Sequence, residues 1–453
     1  MTELRELARW IVMLDEKNVP EAALTEADLC VLDTMGAAIG GYEHPLLEQV
    51  AETYLGIAGQ NKSSSLWGRN RQTSLQTAIF LNAMAAHMLE LDDVHTRSKT
   101  HIGTVVIPAA WGMAEYLQSS GREFLMAVLA GYEAEARIGM AMGVSSHRNR
   151  GWHATSTAGT FGAAAACGKL LGLDEDQMVS ALGMAGTQSF GLWAFLGDGA
   201  SSKGLHPARA AVSGCEAALL AKSGMTGPEH ILTAEDGGLL AAVSDEYDVR
   251  KVCAGLGREW EILAVDKKPY PCCRSAHCAI DAAIALRSRG KIVIEEIESI
   301  KVDTYAVGYK QCGMSAGCRS PKNPLEAKFS TPYAVAVALL DGVINLSSFD
   351  EVHVNNESVR KLLQLVEVRA DEAFTLRYPE HWGCRLTICN KDGSMLTEEI
   401  PDASGSVQNP LNIEQTKEKA WGLMHSIPEK ERREAIARIL EIAQAASMPH
   451  IFD

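Results

Sequence analysis

Apolar residues recur at three- and four-residue steps along most of the first 265 positions, the spacing of a helix face turned towards a core. Leu4, Leu7, Ile11 and Leu14 mark an amphipathic helix at the start, with charges between them. The same spacing, with start and stop residues, predicts helices over 25–40, 45–57, 74–91, 105–117, 122–139, 155–171, 174–187 and 208–221. Small residues such as Ala158, Gly162 and Ala166 recur at steps of four, so helix backbones can approach closely. No internal repeat is visible, which makes this a compact bundle and not a solenoid. Past Trp260 the texture changes, because Pro269 and Pro271 forbid a continuous helix. Alternation at 300–305, a β-branched run at 366–368, and two runs at 385–389 and 395–399 flanking Asp392-Gly393 predict strands and a hairpin. Helices over 275–287, 332–340 and 359–365 would cover that sheet, and helical spacing returns at 412–425 and 429–446. The reading is mainly α: residues 1–265 with 405–453 as a large all-helical domain, and 266–404 as a smaller α+β domain.

A chain of 453 residues is long enough for two cores without covalent staples. Composition is that of an ordinary soluble protein, and the net charge of -15 argues against nucleic acid or an anionic membrane as partner. Eleven scattered cysteines, an odd number, fit a reducing compartment better than a disulfide framework. The first residues form an amphipathic helix, not a secretory signal, and the apolar windows at 102–111 and 160–173 are broken before they could span a bilayer. A cytoplasmic protein is expected.

Candidate chemistry sits in four loops. The first, 87–101, carries His87, Glu90, Asp92, Asp93, His95, Arg97, Lys99 and His101 between two apolar helices, with His87, Glu90 and Val94 expected on one helix face. Such a loop can be a solvated connection, a divalent-metal site, or an acid–base and carboxylate-binding site whose members shift one another's pKa. Its spacing matches neither a zinc-protease helix nor a finger, so no metal is expected. In the second, 148–157, His153 precedes a helix that Thr155 or Ser156 can cap, and its first-turn amides would attract an anion. The third, 197–209, is glycine-rich but lacks a phosphate-loop ending; Lys203, His206 and Arg209 suit a carboxylate. The fourth, 267–277, offers Lys267, Lys268, Tyr270 and His277, with Cys272, Cys273 and Cys278 read as buried thiols. Residues 319–328 add positive charge. Each loop alone reads equally well as an ordinary turn. An acidic chain that gathers cations in a few loops is consistent with a pocket for a small anionic di- or tricarboxylate.

Taken in order, Glu-Leu-Asp-Asp-Val-His (90–95) with Thr-His (100–101), Gly-Trp-His-Ala-Thr-Ser-Thr (151–157), Ser-Lys-Gly-Leu-His-Pro-Ala-Arg (202–209), Lys-Pro-Tyr-Pro-Cys-Cys-Arg-Ser-Ala-His (268–277) and Pro-Leu-Glu-Ala-Lys-Phe-Ser (324–330) resemble the MmgE/PrpD family. That family includes 2-methylcitrate dehydratase, cis-aconitate decarboxylase and iminodisuccinate epimerase. The resemblance implies a large helical domain closed by a small lid, a homodimer, and no organic cofactor. It places catalytic positions at Asp93, His101, His153, Lys203 and Lys268, with Glu90, His95, His206, Arg209, Tyr270 and His277 as further substrate-binding candidates. Two departures bear on the reaction. Many relatives read Asp-Phe-Asp-Asp-Thr-His where this chain has Glu90 and Val94, and the decarboxylases carry a tyrosine absent from 315–322. The expectation is therefore an epimerase or isomerase of a dicarboxylate, with a dehydratase next, a decarboxylase third, and a non-catalytic polycarboxylate-binding protein as the reading from another class.

Overall fold

The computed structural model describes residues 1–59, 61–290, 292–449 and 451; positions 60, 291, 450, 452 and 453 of the expected domain ranges lie outside them. The chain is mainly helical. Its longest helices are Glu21–Gly41, Pro45–Ile57, Leu75–Met88, Gly103–Leu117, Gly121–Ala141, Ala154–Leu170, Glu175–Thr187 and Leu205–Lys222. Side-chain caps start several of them, including reciprocal Ser120–Glu123 and Asp174–Gln177 capping boxes. The Ala154–Leu170 helix is buried on every side from Thr155 to Gly168, as its run of alanine and glycine requires. Packing there is close: a Cβ on Gly214 of the neighbouring Leu205–Lys222 helix would lie 2.4 Å from the Thr160 carbonyl.

Four strands form one sheet in the order Val366–Ala370, Ile297–Thr304, Cys384–Asn390, Met395–Ile400; the first pair is parallel and the others antiparallel. The Asp392-Gly393 turn closes the hairpin with Gly393 at φ 82, and the His277–Ser288 helix packs on this sheet and against Thr331–Asp341. Two short ladders fall where no strand was expected. Ser64–Leu66 pairs with Arg71–Thr73, and Val94–His95 pairs with Val265–Asp266. Pieces of two or three residues are too short for alternation to register.

Buried apolar residues fall into two main clusters. One runs from Leu4 to Val265 and resumes from Ala420 to Ile451; the other runs from Cys272 to Ala403. The tail thus returns to the helical part, where a Cβ on Gly36 would lie 3.0 Å from the Ala420 Cα. At the second crossing Lys267 N–H donates to the Gly405 carbonyl at 2.9 Å, and Gly405 has φ 81. A Cβ there would sit 1.9 Å from the Lys267 carbonyl. Gly405→Ala is therefore expected to destabilise the protein by more than the roughly 1–2 kcal/mol of a left-handed alanine, read as a lowered urea midpoint. No helix of the described residues is long and apolar enough to cross a membrane.

Candidate active site

The predicted 74–91 helix stops at Met88, and the reason lies far away in the chain. Leu89 is its cap and Glu90 turns left-handed at φ 59. The carbonyls released there are taken by three lysines: Lys328 donates to Leu89 O at 3.1 Å, Lys268 to Glu90 O at 3.1 Å and Lys419 to Leu91 O at 2.6 Å. Cationic donors at a helix C-terminus satisfy its orphan carbonyls and its dipole together. His87, Glu90 and Val94 consequently do not share a helix face.

A cavity opens beside this turn. Glu90, His101, His153, Lys203 and Lys268 all line it. Lys203 forms an ion pair with the Glu90 carboxylate, and Lys268 lies 3.7 Å from Glu90 and 3.6 Å from Asp92. Burial pushes the Glu90 carboxyl up, but Lys203 and Lys268 outweigh it and hold the group near 2. The same contest keeps Asp92 well below the carboxylate range, through His87, Lys268 and His101. Burial works to lower Lys268, yet Asp92 and Glu90 hold it above its ordinary value. Both carboxylates and Lys268 are therefore charged at neutral pH.

The imidazoles have an order that their partners dictate. His101 Nδ1 is 2.8 Å from the Asp93 carbonyl and 2.8 Å from Asp92 Oδ2, both acceptors, so Nδ1 carries the hydrogen and Nε2 the lone pair. His87 Nδ1 likewise donates to Asp92 at 2.8 Å, and its Nε2 has no hydrogen-bond partner among the described residues. His153 meets His206 through their Nδ1 atoms at 2.8 Å, one ring donating and the other accepting. Burial holds His101 down to about 4 and His206 to about 4, while burial, His206 and Lys203 keep His153 well below its usual value. These rings are neutral bases at pH 7. His153 does not rely on Thr155 or Ser156 to cap its helix, since neither side chain makes that bond; Thr155 Oγ1 accepts from His101 N–H at 3.1 Å.

Five expected site residues lie elsewhere. Asp93 turns away from the cavity, accepting from Tyr132 OH at 2.7 Å and from Gly103 N–H at 3.0 Å, where it anchors the start of the next helix. Burial pushes its carboxyl up to about 7. His95 is held between Ser98 at 2.7 Å and Glu261 at 3.0 Å. Arg209 is exposed. Tyr270 OH donates to Asp281 at 2.6 Å, and His277 sits fully buried with Nε2 3.3 Å from the Cys272 carbonyl. Against these, His87 and Asp92 stand behind the bases, and Lys99, Arg148 and Arg274 line the cavity without having been singled out. All five occur in the loops already marked; what was missing from the spacing was which neighbour points inward. The cysteines are free thiols, mostly buried, although Cys273 reaches the cavity wall.

His87, His101 and His153 can present one nitrogen each within 4.8 Å of one another, a donor set zinc accepts. The charge balance does not favour it, because Asp92 and Glu90 are already compensated by Lys268 and Lys203. Dialysis against a strong chelator is expected to leave activity unchanged; loss restored by added zinc would reverse that view.

Residues 5–251 match the MmgE/PrpD N-terminal domain and residues 270–442 the MmgE/PrpD C-terminal domain. The chain is 27% identical to the cis-aconitate decarboxylase-like protein oryM of Aspergillus oryzae, over 98% of this chain and 95% of that protein. It is 29% identical to human cis-aconitate decarboxylase over 89% and 83%, and 22% identical to the 2-methylcitrate dehydratase of Salmonella typhi over 84% and 81%. With both family domains matched in order across nearly the whole chain, it belongs to the MmgE/PrpD family and is an enzyme of that type, an isomerase or lyase.

Proposed function

We propose that this enzyme works without a cofactor and moves the proton α to a carboxylate of a small di- or tricarboxylate, most simply as an epimerase of the iminodisuccinate-epimerase kind. The observation that carries the reading is the pair of neutral imidazoles, His101 and His153, on one cavity with ring centroids 6.4 Å apart. Each has its Nδ1 tied to its own partner, Asp92 or His206. Two such bases suit removal of a proton from one face of a carbon and its return on the other. The substrate C–H bond breaks towards His101 Nε2, the electron pair delocalises into the carboxylate, and the bond is rebuilt on the other face by a proton that His153 has first taken from water, His101 returning its own to water afterwards. Lys203 and Lys268, held in place by Glu90 and Asp92, offer N–H donors to the oxygen on which charge develops.

A lyase is the second reading, favoured by the activities of the relatives, cis-aconitate decarboxylase and 2-methylcitrate dehydratase. In a dehydration His101 would take the same proton while His153 protonates the departing hydroxyl. The two apolar clusters, with the cavity lined by residues from both segments, support a large helical domain (1–265 and 405–453) closed by a smaller α+β lid (266–404). A homodimer is the expectation that the family resemblance carries, and a cytoplasmic location the one that the scattered cysteines carry. Incubation in deuterated water with iminodisuccinate stereoisomers, 2-methylcitrate and cis-aconitate, followed by NMR, separates the reactions. Deuterium incorporation with inversion supports the epimerase; loss of water or carbon dioxide selects the lyase. Binding without exchange or turnover would leave only a polycarboxylate-binding protein.

A further inference from the structure

The cavity holds two cationic groups, and they differ in one respect. Lys203 and Lys268 have their counter-ions in Glu90 and Asp92. Lys99, Arg148 and Arg274 do not have theirs complete: Lys99 Nζ, Arg148 Nε and Arg274 Nη1 are each buried with no hydrogen-bond partner among the described residues. All three side chains line the same cavity.

What surrounds them deepens the deficit. Lys99 Nζ stands 5.0 Å and 5.6 Å from the centroids of the Tyr378 and Trp382 rings, and Arg148 stacks 4.3 Å over Trp193, so ring faces take the place of carboxylates. Arg274 spends Nε on Asp266 at 2.8 Å, which leaves the other end of its fork unused. Lys99 also adopts a left-handed backbone at φ 58, a conformation that costs a non-glycine residue energy and that the fold maintains. Buried cationic donors without acceptors are costly unless an anion arrives to use them. The paired lysines present little net charge to a resting ligand; Arg274 is balanced by Asp266 but keeps a free donor, and Lys99, which burial lowers to about 7, would be held charged by a carboxylate arriving beside it.

We propose that Lys99, Arg148 and Arg274 form a second anion subsite that takes a carboxylate of the substrate remote from the carbon whose proton moves. The subsite rests on the di- or tricarboxylate reading above and adds to it the residues that hold the second carboxylate. A fork from each arginine and the lysine ammonium give one carboxylate its acceptor sites in full. Division of labour follows: the unpaired group binds charge that is already there, and the paired lysines meet charge that appears only during reaction.

Calorimetry with succinate and tricarballylate, which need no turnover, tests this directly. Lys99→Met and Arg148→Met each remove a side chain with no ion pair among the described residues, and an unchanged thermal midpoint verifies folding. Each is expected to weaken both ligands by about 30-fold or more, while Arg209→Met, which removes an exposed cation outside the cavity, binds them as the wild type does. A substrate whose remote carboxylate is replaced by an amide should be strongly disfavoured by the wild type and much less so by Lys99→Met/Arg148→Met. If the single variants bind succinate as tightly as the wild type, the subsite is wrong and the carboxylate reading stands. If the wild type itself binds neither ligand, the carboxylate reading falls with it.

Discussion

His101→Gln is expected to lower kcat by about 10²–10⁴-fold, the range lost with a positioned general base. Glutamine can still donate near the Asp93 carbonyl but offers no basic nitrogen to the cavity. The loss should therefore appear in kcat and in solvent deuterium exchange, with the fold retained. Its pH dependence is specific. Burial, opposed by Asp92, holds His101 near 4 when an unperturbed ring would titrate at 6.5. A base with a lowered pKa remains unprotonated further into acid, so the acid limb of kcat/KM should lie near pH 4. A limb at 6.5, or exchange undiminished in the variant, would take His101 out of this role.

Lys268→Met should have the largest effect on stability, about 3–5 kcal/mol, the cost of removing one partner from a buried ion pair. Asp92 and Lys268 are fully buried and Glu90 is 4% exposed, so water cannot replace the ammonium. The Glu90 carbonyl would lose its donor in the same step. Lys268 has a raised folded pKa, so its contribution is complete below the ordinary 10.5 and is lost as pH rises through the folded value. Asp92 is depressed, so its contribution is present above the ordinary 3.8 and is lost as pH falls through the folded value. The destabilisation should thus be widest between pH 4 and 10, measured by urea unfolding, and Asp92→Asn added to Lys268→Met should recover part of it. A variant as stable as the wild type would mean the carboxylates find another counter-ion.

These two residues also mark the boundary between local and tertiary information. The helices, the Asp392-Gly393 hairpin and the change of texture near residue 265 are set by side-chain periodicity and by proline and glycine, which act within a few residues. For the same reason the loops that hold His101, His153, Lys203 and Lys268 could be marked as sites before any fold was known. Which side chain in each loop faces the cavity does not follow from spacing; the resemblance names His101, His153, Lys203 and Lys268, which line it, and Asp93, which turns away. Asp92 and Asp93 are adjacent and chemically alike, yet one orients two histidines and the other anchors a helix against Tyr132. The helix before them ends where it does because lysines at 268, 328 and 419 reach its carbonyls, leaving Glu90 at φ 59 and rotating everything after it. Periodicity extrapolated through that turn puts His87, Glu90 and Val94 on one helix face, an arrangement the turn does not keep. The sequence by itself determined a mainly helical chain with acid–base and cationic residues concentrated in a few loops. The tertiary structure decided which of them meet, because burial and charge pairing join positions as far apart as 90 and 203 or 92 and 268, distances over which no local pattern carries information.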